Sequence, residues 1–264
     1  MIDTRRKLKL THSPPIPTAA VLLIGDEILS GRTKDKNLGY IADYLAALGI
    51  DLKEARVVAD IVDEIVAAVN ALRARYTYLF TTGGIGPTHD DITADSVARA
   101  FGVAIDHDPR AVAILLAYFK EIGREPNEAR MRMARIPKGA VLIENPVSIA
   151  PGFQMENVFV MAGVPKIMQA MMDVVSPRLA KGVPMLSRTV EFLGGEGDIA
   201  KPLSHIQDRF ADVVIGSYPF QAPDGFATNL VLRSRDGAAL EKALAEVQRA
   251  AIQLVREGKA RGWS

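Results

Sequence analysis

The feature that most constrains the fold is an alternation of short apolar segments with longer segments whose apolar residues recur at helical spacing. Three such units follow one another in the first 101 residues. The predicted strands are residues 19–24, 57–58 and 76–82, and the predicted helices are residues 36–48, 61–72 and 93–101, the second opened by Asp60 as its N-cap. Strands alternating with helices predict an α/β fold with a mostly parallel sheet and helices on both faces.

The later part of the chain continues the pattern and then changes it. We predict helices from Asp108 and at 126–134 and 168–179, with strands at 140–143 and 158–161. Lys181, Gly182 and Pro184 mark a boundary. Beyond it we predict strands at 188–193, 213–217 and 228–233 and helices at 199–210 and 238–255. This gives a flexible basic tail at 1–18, a main domain at 19–183 and a small α+β domain at 186–264. The small domain has the element order of a KH-like unit but no GXXG clamp.

Composition narrows the classes of function. The chain has 264 residues and no cysteine, which excludes disulfides and thiolate chemistry and favours the cytoplasm. With 32 basic and 31 acidic residues it is nearly neutral, so a nucleic-acid partner is not expected. No apolar run approaches the roughly 20 residues that span a bilayer, so no membrane partner is expected either.

The stretch Thr81 to Thr93, TTGGIGPTHDDIT, joins a predicted strand to a predicted helix. Its glycines, Gly83, Gly84 and Gly86, let main-chain N–H groups approach an oxyanion, and the helix start adds a partial positive charge. The alternative is that these glycines only allow a tight turn and bind no ligand. Two adjacent acids, Asp90 and Asp91, are unfavourable beside a phosphate unless a cation is bound, so they favour a metal.

Two further acidic sites follow the first two strands. Asp26 and Glu27 come after the first, and Asp60 comes after the second. Because the carboxyl ends of parallel strands share one crevice, we expect these acids to converge there with Asp90 and Asp91. An all-oxygen ligand set favours Mg²⁺ or Mn²⁺. Taken singly, Asp26 and Asp60 can equally be caps, and Asp90 can be solvated.

Two other groups carry weaker signals. Asn145, Pro151, Gly152 and Phe153 form a predicted loop whose Pro-Gly pair can bring backbone donors to a ligand, although Phe153 suits a core equally well. The arginines of residues 130–135 are about one turn apart and could pair with phosphate, or they could form a solvated helix face.

Several motifs resemble, in order, those of the MoaB/Mog molybdopterin-binding-like domain family. They are GDEILSG (25–31), Asn37, Asp60, TGGIGPTHDDIT (82–93), IPKGA (136–140) and APGF (150–153). The resemblance is closer to the branch formed by the competence/damage-inducible protein A (CinA) family and eukaryotic FAD synthase. It covers residues 19–179, and the later module resembles the KH-like domain of CinA proteins. Ala162 stands where the family often has proline.

The resemblance implies a three-layer α/β/α domain, a homo-oligomer (dimer or trimer), and a divalent-metal-dependent hydrolase of dinucleotide pyrophosphates. GIGPTHDD points to FAD and the two-domain layout to ADP-ribose, with AMP as a product of either. The alternative is a protein that binds molybdopterin or a nucleotide without hydrolysis. Asp60 and Asp91 match the functional acids of the family. The predicted ligand-binding residues are Gly25, Asn37, Thr82, Gly83, Gly84, Gly86, Pro87, Thr88, Thr93, Pro151 and Gly152, and the predicted metal ligands are Asp26, Glu27, Asp60, Asp90 and Asp91.

Overall fold

The computed structural model describes residues 15–264. The predicted tail, residues 1–18, therefore lies almost entirely outside the described residues, and Thr18 already belongs to the first strand. The chain divides into two compact units, the first ending at Gly182 and the second running from Val183 to Ser264. Each unit has its own hydrophobic core.

The first unit alternates strands and helices. Its strands are β1 Thr18–Ile24, β2 Asp51–Val58, β3 Tyr78–Thr82, β4 Ile105–His107, β5 Arg135–Pro137, β6 Val141–Ile143, β7 Gly152–Met155 and β8 Val158–Met161. Its helices are α1 Asp26–Leu29, α2 Asn37–Ala47, α3 Val62–Arg75, α4 Thr93–Phe101, α5 Pro109–Glu121, α6 Glu128–Met131 and α7 Pro165–Val175. Short 3₁₀ turns follow α6 at Arg132–Ala134 and α7 at Ser176–Arg178.

The main sheet has six strands in the order β2-β1-β3-β8-β7-β6. The first four are parallel to one another, and β7 and β6 are antiparallel to their neighbours. Strands β4 and β5 form a separate antiparallel pair. The predicted fold class, a mostly parallel sheet in an α/β domain, is confirmed.

Strand β1 explains why the domain has three layers. Residues 19–24 are all buried, and side chains of successive residues point to opposite faces of a strand. Ala20, Leu22 and Ile24 pack in a core with α3, α4 and α5, while Ala19, Val21 and Leu23 pack in a second core with α2 and α7. An apolar run without polar alternation is what a parallel strand covered on both faces requires.

The second of these cores is rich in methionine. Met161 of β8 and Met168, Met171 and Met172 of α7 are all fully buried. The main-chain N–H of Ala162 points at the Met171 sulfur at 3.5 Å. A proline at position 162 would lack this N–H, so the alanine found there keeps a contact between the end of β8 and α7.

Three local expectations were wrong. Strand β2 covers residues 51–58 and not only 57–58. The predicted Pro-Gly loop is a strand from Gly152 onward, and of the two alternatives for Phe153 the core position is the correct one. Asp60 does not cap its helix, because α3 begins at Val62 without a side-chain cap and the Asp60 carboxylate bonds elsewhere.

The second unit is a small α+β domain, as expected. It contains β9 Leu186–Phe192, α8 Glu196–Arg209, β10 Val214–Ala222, β11 Gly225–Ser234 and α9 Gly237–Arg256. The strands form an antiparallel sheet in the order β10-β11-β9, and both helices contribute to its core. Across both units, residues 15–264 include no helix long and apolar enough to cross a membrane.

Helix α5 provides a test of helix capping. The Asp108 carboxylate accepts hydrogen bonds from the Arg110 N–H at 2.8 Å and from the Arg110 guanidinium at 2.7 Å, and that guanidinium lowers the pKa of Asp108 to about 2. We predict that Asp108→Ala costs about 1 kcal/mol at neutral pH. In a protein of this size, 1 kcal/mol lowers the melting temperature by about 2–4 °C.

The cost should depend on pH. A lowered pKa means that the carboxylate stabilises the folded state above its ordinary pKa of 3.8. The charge-dependent part of the difference should therefore shrink as the pH falls from about 4 towards 2. Thermal unfolding of the parent and the variant across this range measures it. The exposed Asp106 is the matched control, and an equal effect of Asp106→Ala would contradict the prediction.

Candidate functional site

Four parallel strands, β2, β1, β3 and β8, end at the same edge of the sheet. The segments after them are held together by main-chain bonds: Gly25 N–H donates to Val58 O at 3.2 Å, and Gly83 N–H donates to Met161 O at 3.3 Å. The first acidic turn, the Asp60 turn and the glycine loop therefore converge at this edge.

Asp26 and Asp60 form a reciprocal pair. The Asp60 Oδ2 accepts from the Asp26 N–H at 2.9 Å, and the Asp26 Oδ1 accepts from the Asp60 N–H at 3.3 Å. Strand register explains the pairing, because Ile24 lies opposite Val58 and each aspartate is two residues further on. The arrangement fixes both backbones and leaves the second oxygen of each carboxylate available to a ligand.

Asp60 lies in a negative environment. Partial burial raises the pKa of its carboxyl above the ordinary 3.8, and the negative charges of Asp26, Glu27 and Asp90 raise it further. The hydrogen bond from the Asp26 N–H acts in the opposite direction. Three acids therefore lie close enough to Asp60 to repel its negative charge, and a bound cation would relieve that repulsion.

Gly83 and Gly84 bring the glycine loop very close to its neighbours. Gly83 has a φ of 103°, and a Cβ there would lie 2.1 Å from Ile24 O. Gly84 has a φ of 66°, and a Cβ there would lie 2.2 Å from Thr93 Oγ1. The buried Thr93 fastens the loop, because its hydroxyl donates to Gly83 O and its N–H to Gly84 O, both at 3.0 Å. Only glycine fits either position.

Asp91 faces the loop. Its Oδ2 accepts from the Thr88 N–H at 2.8 Å and from the Thr88 hydroxyl, and it would be 2.6 Å from a Cβ on Gly86. The same carboxylate therefore fixes the turn of residues 88–91 and lines the cleft. Its neighbour Asp90 is exposed.

Asn37 connects α2 to the end of β8. It is 5% exposed, and its amide donates to Gly163 O at 2.8 Å and more weakly to Thr82 Oγ1 at 3.4 Å. Asp35 holds the start of α2 by accepting from the N–H groups of Asn37 and Leu38. Asn37 and Thr82 thus lie behind the cleft and support its wall.

A cleft of about 520 Å³ opens over the loop. Of the predicted residues, Glu27, Gly83, Gly84, Gly86, Pro87 and Asp91 line it. Thr33, Met133, Ser148 and Gly163 also line it and were not predicted. Met133 gives no signal in the sequence, because a methionine in a helical apolar pattern looks like a core residue. Ser148 lies between the predicted Asn145 and Pro151, so a search of that whole segment would have found it.

The segment from Asn145 to Gly152 is shaped by Asn145. This residue is 5% exposed, accepts from the N–H groups of Val147 and Ser148, and donates to Ala150 O at 2.9 Å. Asn145 also lines the cleft. Gly152 is buried in β7, where a Cβ would be 2.3 Å from Val160 O, so close strand packing explains this glycine.

The carboxylates fit a hard cation only in part. Within residues 15–264, no three His, Cys, Asp or Glu side chains are arranged to hold a metal ion by themselves. Mg²⁺ is commonly bound by one or two carboxylates together with waters and substrate phosphate oxygens. The Asp26 and Asp60 pair, with Glu27 nearby, matches that kind of site.

A doubly covered parallel sheet with a glycine loop at its carboxyl edge is the arrangement in which open α/β proteins place their ligand sites. Residues 20–181 match the family described as probable molybdopterin binding domain, and the chain belongs to that family. Residues 184–256 match the middle domain of FAD synthase.

Individual relatives agree with this assignment. Protein TK1472 of Thermococcus kodakarensis is 34% identical and aligns over 89% of this chain and 98% of its own length. A CinA-like protein of Desulfosudis oleivorans is 40% identical over 61% of this chain, a region that covers 40% of that protein. The crystal structure of CinA from Thermoplasma acidophilum matches 61% of this chain and 97% of its own with a TM-score of 0.57 and 33% identity. The resemblance inferred from the motifs is confirmed.

A comparison of Gly84 with Gly102 separates the effect of a steric clash from the effect of the left-handed backbone conformation. Their φ values are 66° and 65°, but a Cβ on Gly102 would meet nothing within 4 Å. Both alanine variants therefore carry the cost of the left-handed conformation, about 1–2 kcal/mol. We predict that Gly84→Ala additionally displaces Thr93 and is the less stable of the two by denaturant unfolding. Equal stabilities would contradict the close contact.

Asp60→Asn tests the electrostatic repulsion. A carboxyl whose pKa is raised on folding destabilises the folded state as the pH rises above its ordinary value. We predict that the variant melts at a higher temperature than the parent at pH 7 in the absence of metal, and that the gain disappears near pH 3. The control is Asp63→Asn, which removes an exposed acid paired with Arg99. Lower stability of Asp60→Asn at pH 7 would contradict the repulsion.

Proposed function

We propose that this protein is a divalent-metal-dependent hydrolase that splits an adenosine-linked pyrophosphate, FAD or ADP-ribose, and releases AMP. The supporting observation is the reciprocal pair Asp26 and Asp60 beside a glycine loop in which Gly83 and Gly84 leave no room for side chains. Such a loop lets main-chain N–H groups approach a phosphate. The cleft of about 520 Å³ falls in the size range of small-molecule sites.

In the proposed hydrolysis, the acids of the site have different roles. A water oxygen attacks one phosphorus atom, the bridging P–O bond breaks, and the two phosphate monoesters leave. Asp60, whose pKa is raised, is suited to orient this water and accept its proton. Asp91 holds the loop in shape through Thr88. A bound Mg²⁺ or Mn²⁺, held by Asp26 and Glu27, would neutralise phosphate charge and make a bound water more acidic.

FAD is the preferred of the two substrates. The second unit matches the FAD synthase middle domain, and this adds to the loop sequence GIGPTHDD. Hydrolysis of FAD gives FMN and AMP, whereas hydrolysis of ADP-ribose gives ribose 5-phosphate and AMP. We further propose a homo-oligomer, dimer or trimer, located in the cytoplasm. Analytical ultracentrifugation tests the oligomer, and a monomer at micromolar concentration would contradict it.

The second candidate is a protein that binds molybdopterin or a nucleotide without hydrolysis. The family is described by molybdopterin binding. This description favours a protein that binds its ligand and leaves it intact. An adenylated pterin is also a pyrophosphate, so the glycine loop suits either candidate.

The deciding experiment incubates the purified protein with Mg²⁺ or Mn²⁺ and either FAD or ADP-ribose, and identifies the products by chromatography. We expect AMP together with FMN, and no product when a chelator is added. Asp60→Asn should lower the rate by at least about 100-fold because the proton acceptor is lost. Asp63→Asn, which alters an exposed acid on the adjacent helix, should keep the parent rate.

The opposite result is equally informative. If neither compound is cleaved with either cation while a pterin or nucleotide still binds, the hydrolase proposal is wrong and the second candidate replaces it. If Asp63→Asn loses as much activity as Asp60→Asn, the effect comes from the general charge of the surface.

A further inference from the structure

Three arginines follow one another on the segment from α6 to β5, and two of them are used locally. The Arg130 guanidinium donates to Glu125 O at 3.0 Å and lies 5.3 Å from the centre of the Phe119 ring. The Arg135 guanidinium forms an ion pair with Asp95. Neither is free to bind a ligand without losing a partner.

Arg132 is different. Its Nε, like that of Arg135, is buried without a hydrogen-bond acceptor. Unlike Arg130 and Arg135, however, its guanidinium forms no hydrogen bond, ion pair or ring contact within residues 15–264. A buried donor without a partner is costly, and more so when it is charged. Folded proteins satisfy most buried donors, so the buried Nε of this half-exposed side chain calls for an acceptor.

The position of Arg132 indicates which acceptor. It lines a small cavity of about 20 Å³ against the glycine loop, together with Gly84, Gly86 and Asp91. These three residues also line the wide cleft, as does Met133, the next residue after Arg132. The two spaces therefore adjoin along the loop. The small one has room for about one or two waters, so a phosphate would occupy the wide one.

The charge of the wide cleft gives a second argument. Glu27 and Asp91 are its charged lining residues, and none of its lining side chains within residues 15–264 is basic. A pyrophosphate entering this cleft needs positive charge from more than one direction. A guanidinium suits this need because its planar donors bind two phosphate oxygens at once.

We propose that Arg132 is a phosphate-binding residue of this site, whose side chain extends to the non-bridging oxygens of a pyrophosphate held at Gly84–Gly86. The class of ligand rests on the proposed function, whereas the free guanidinium does not. Arg132 thus contributes ligand affinity from the side of the loop that α6 and its 3₁₀ turn cover. Because the Arg132 Nε has no partner within the described residues, the side chain is available to a ligand.

The experiment measures binding of inorganic pyrophosphate and of adenosine by calorimetry, in parallel with thermal unfolding. We expect Arg132→Gln to weaken pyrophosphate binding by about tenfold or more, because a charge-assisted pair is lost. Adenosine affinity should stay at the parent value, and the melting temperature should not fall. Arg132→Lys should recover part of the affinity, since it restores the charge without the paired donors. The matched control is Arg130→Gln, which should bind pyrophosphate like the parent.

Four outcomes separate this inference from the proposed function. Unchanged pyrophosphate affinity in Arg132→Gln would overturn the role of Arg132, and so would a parallel loss of adenosine binding and stability. Pyrophosphate binding without cleavage of FAD or ADP-ribose would overturn the hydrolase proposal alone, and the comparison of Arg132 variants would still decide. A parent protein that cleaves FAD or ADP-ribose but does not bind pyrophosphate would overturn the role of Arg132 alone.

Discussion

The contact between the glycine loop and the end of β1 is the constraint on which the site depends. Gly83 lies so close to Ile24 O that a Cβ would be 2.1 Å from it, so two main chains touch without an intervening side chain. This contact sets the distance between the loop and the acidic turn at Asp26. Thr93 then fixes the loop to the start of α4. Without the contact between Gly83 and Ile24, the acids and the glycine loop would lie on separate surfaces.

The sequence predicts the parts of this arrangement that follow from local patterns. Alternating strands and helices, the glycine loop and the acids after β1 and β2 were all visible. The extent of β2 was not, because Lys53, Glu54 and Arg56 interrupt its apolar pattern at the edge of the sheet. Strand β7 was missed because Pro151 and Gly152 are typical of a loop, and only the contact with Val160 O explains that glycine.

The pairing of Asp26 with Asp60 could not be predicted from the sequence. The pairing depends on the register of β1 against β2, which shifts by one residue between Ala19 and Ala20. No local pattern encodes this shift. Without it, Ile24 would not lie opposite Val58, and the two carboxylates would not meet. The sequence also does not predict that Arg132, unlike its neighbours, lacks a partner. Arg130 bonds to a backbone atom and Arg135 to a side chain distant in the chain, and neither contact can be read from the local sequence.

The methionine-rich core beneath β8 has a consequence for the range of ligands that the site can accept. Methionine side chains are unbranched and flexible, and they repack around an irregular shape at low cost. Here Met161, Met168, Met171 and Met172 lie under the wall formed by Ala162 and Gly163. The glycine loop, whose backbone is fixed, therefore faces a cleft wall that packs on flexible methionine side chains. We expect this wall to yield by side-chain rotation, so that a site with a fixed glycine loop can accommodate molecules that differ in width.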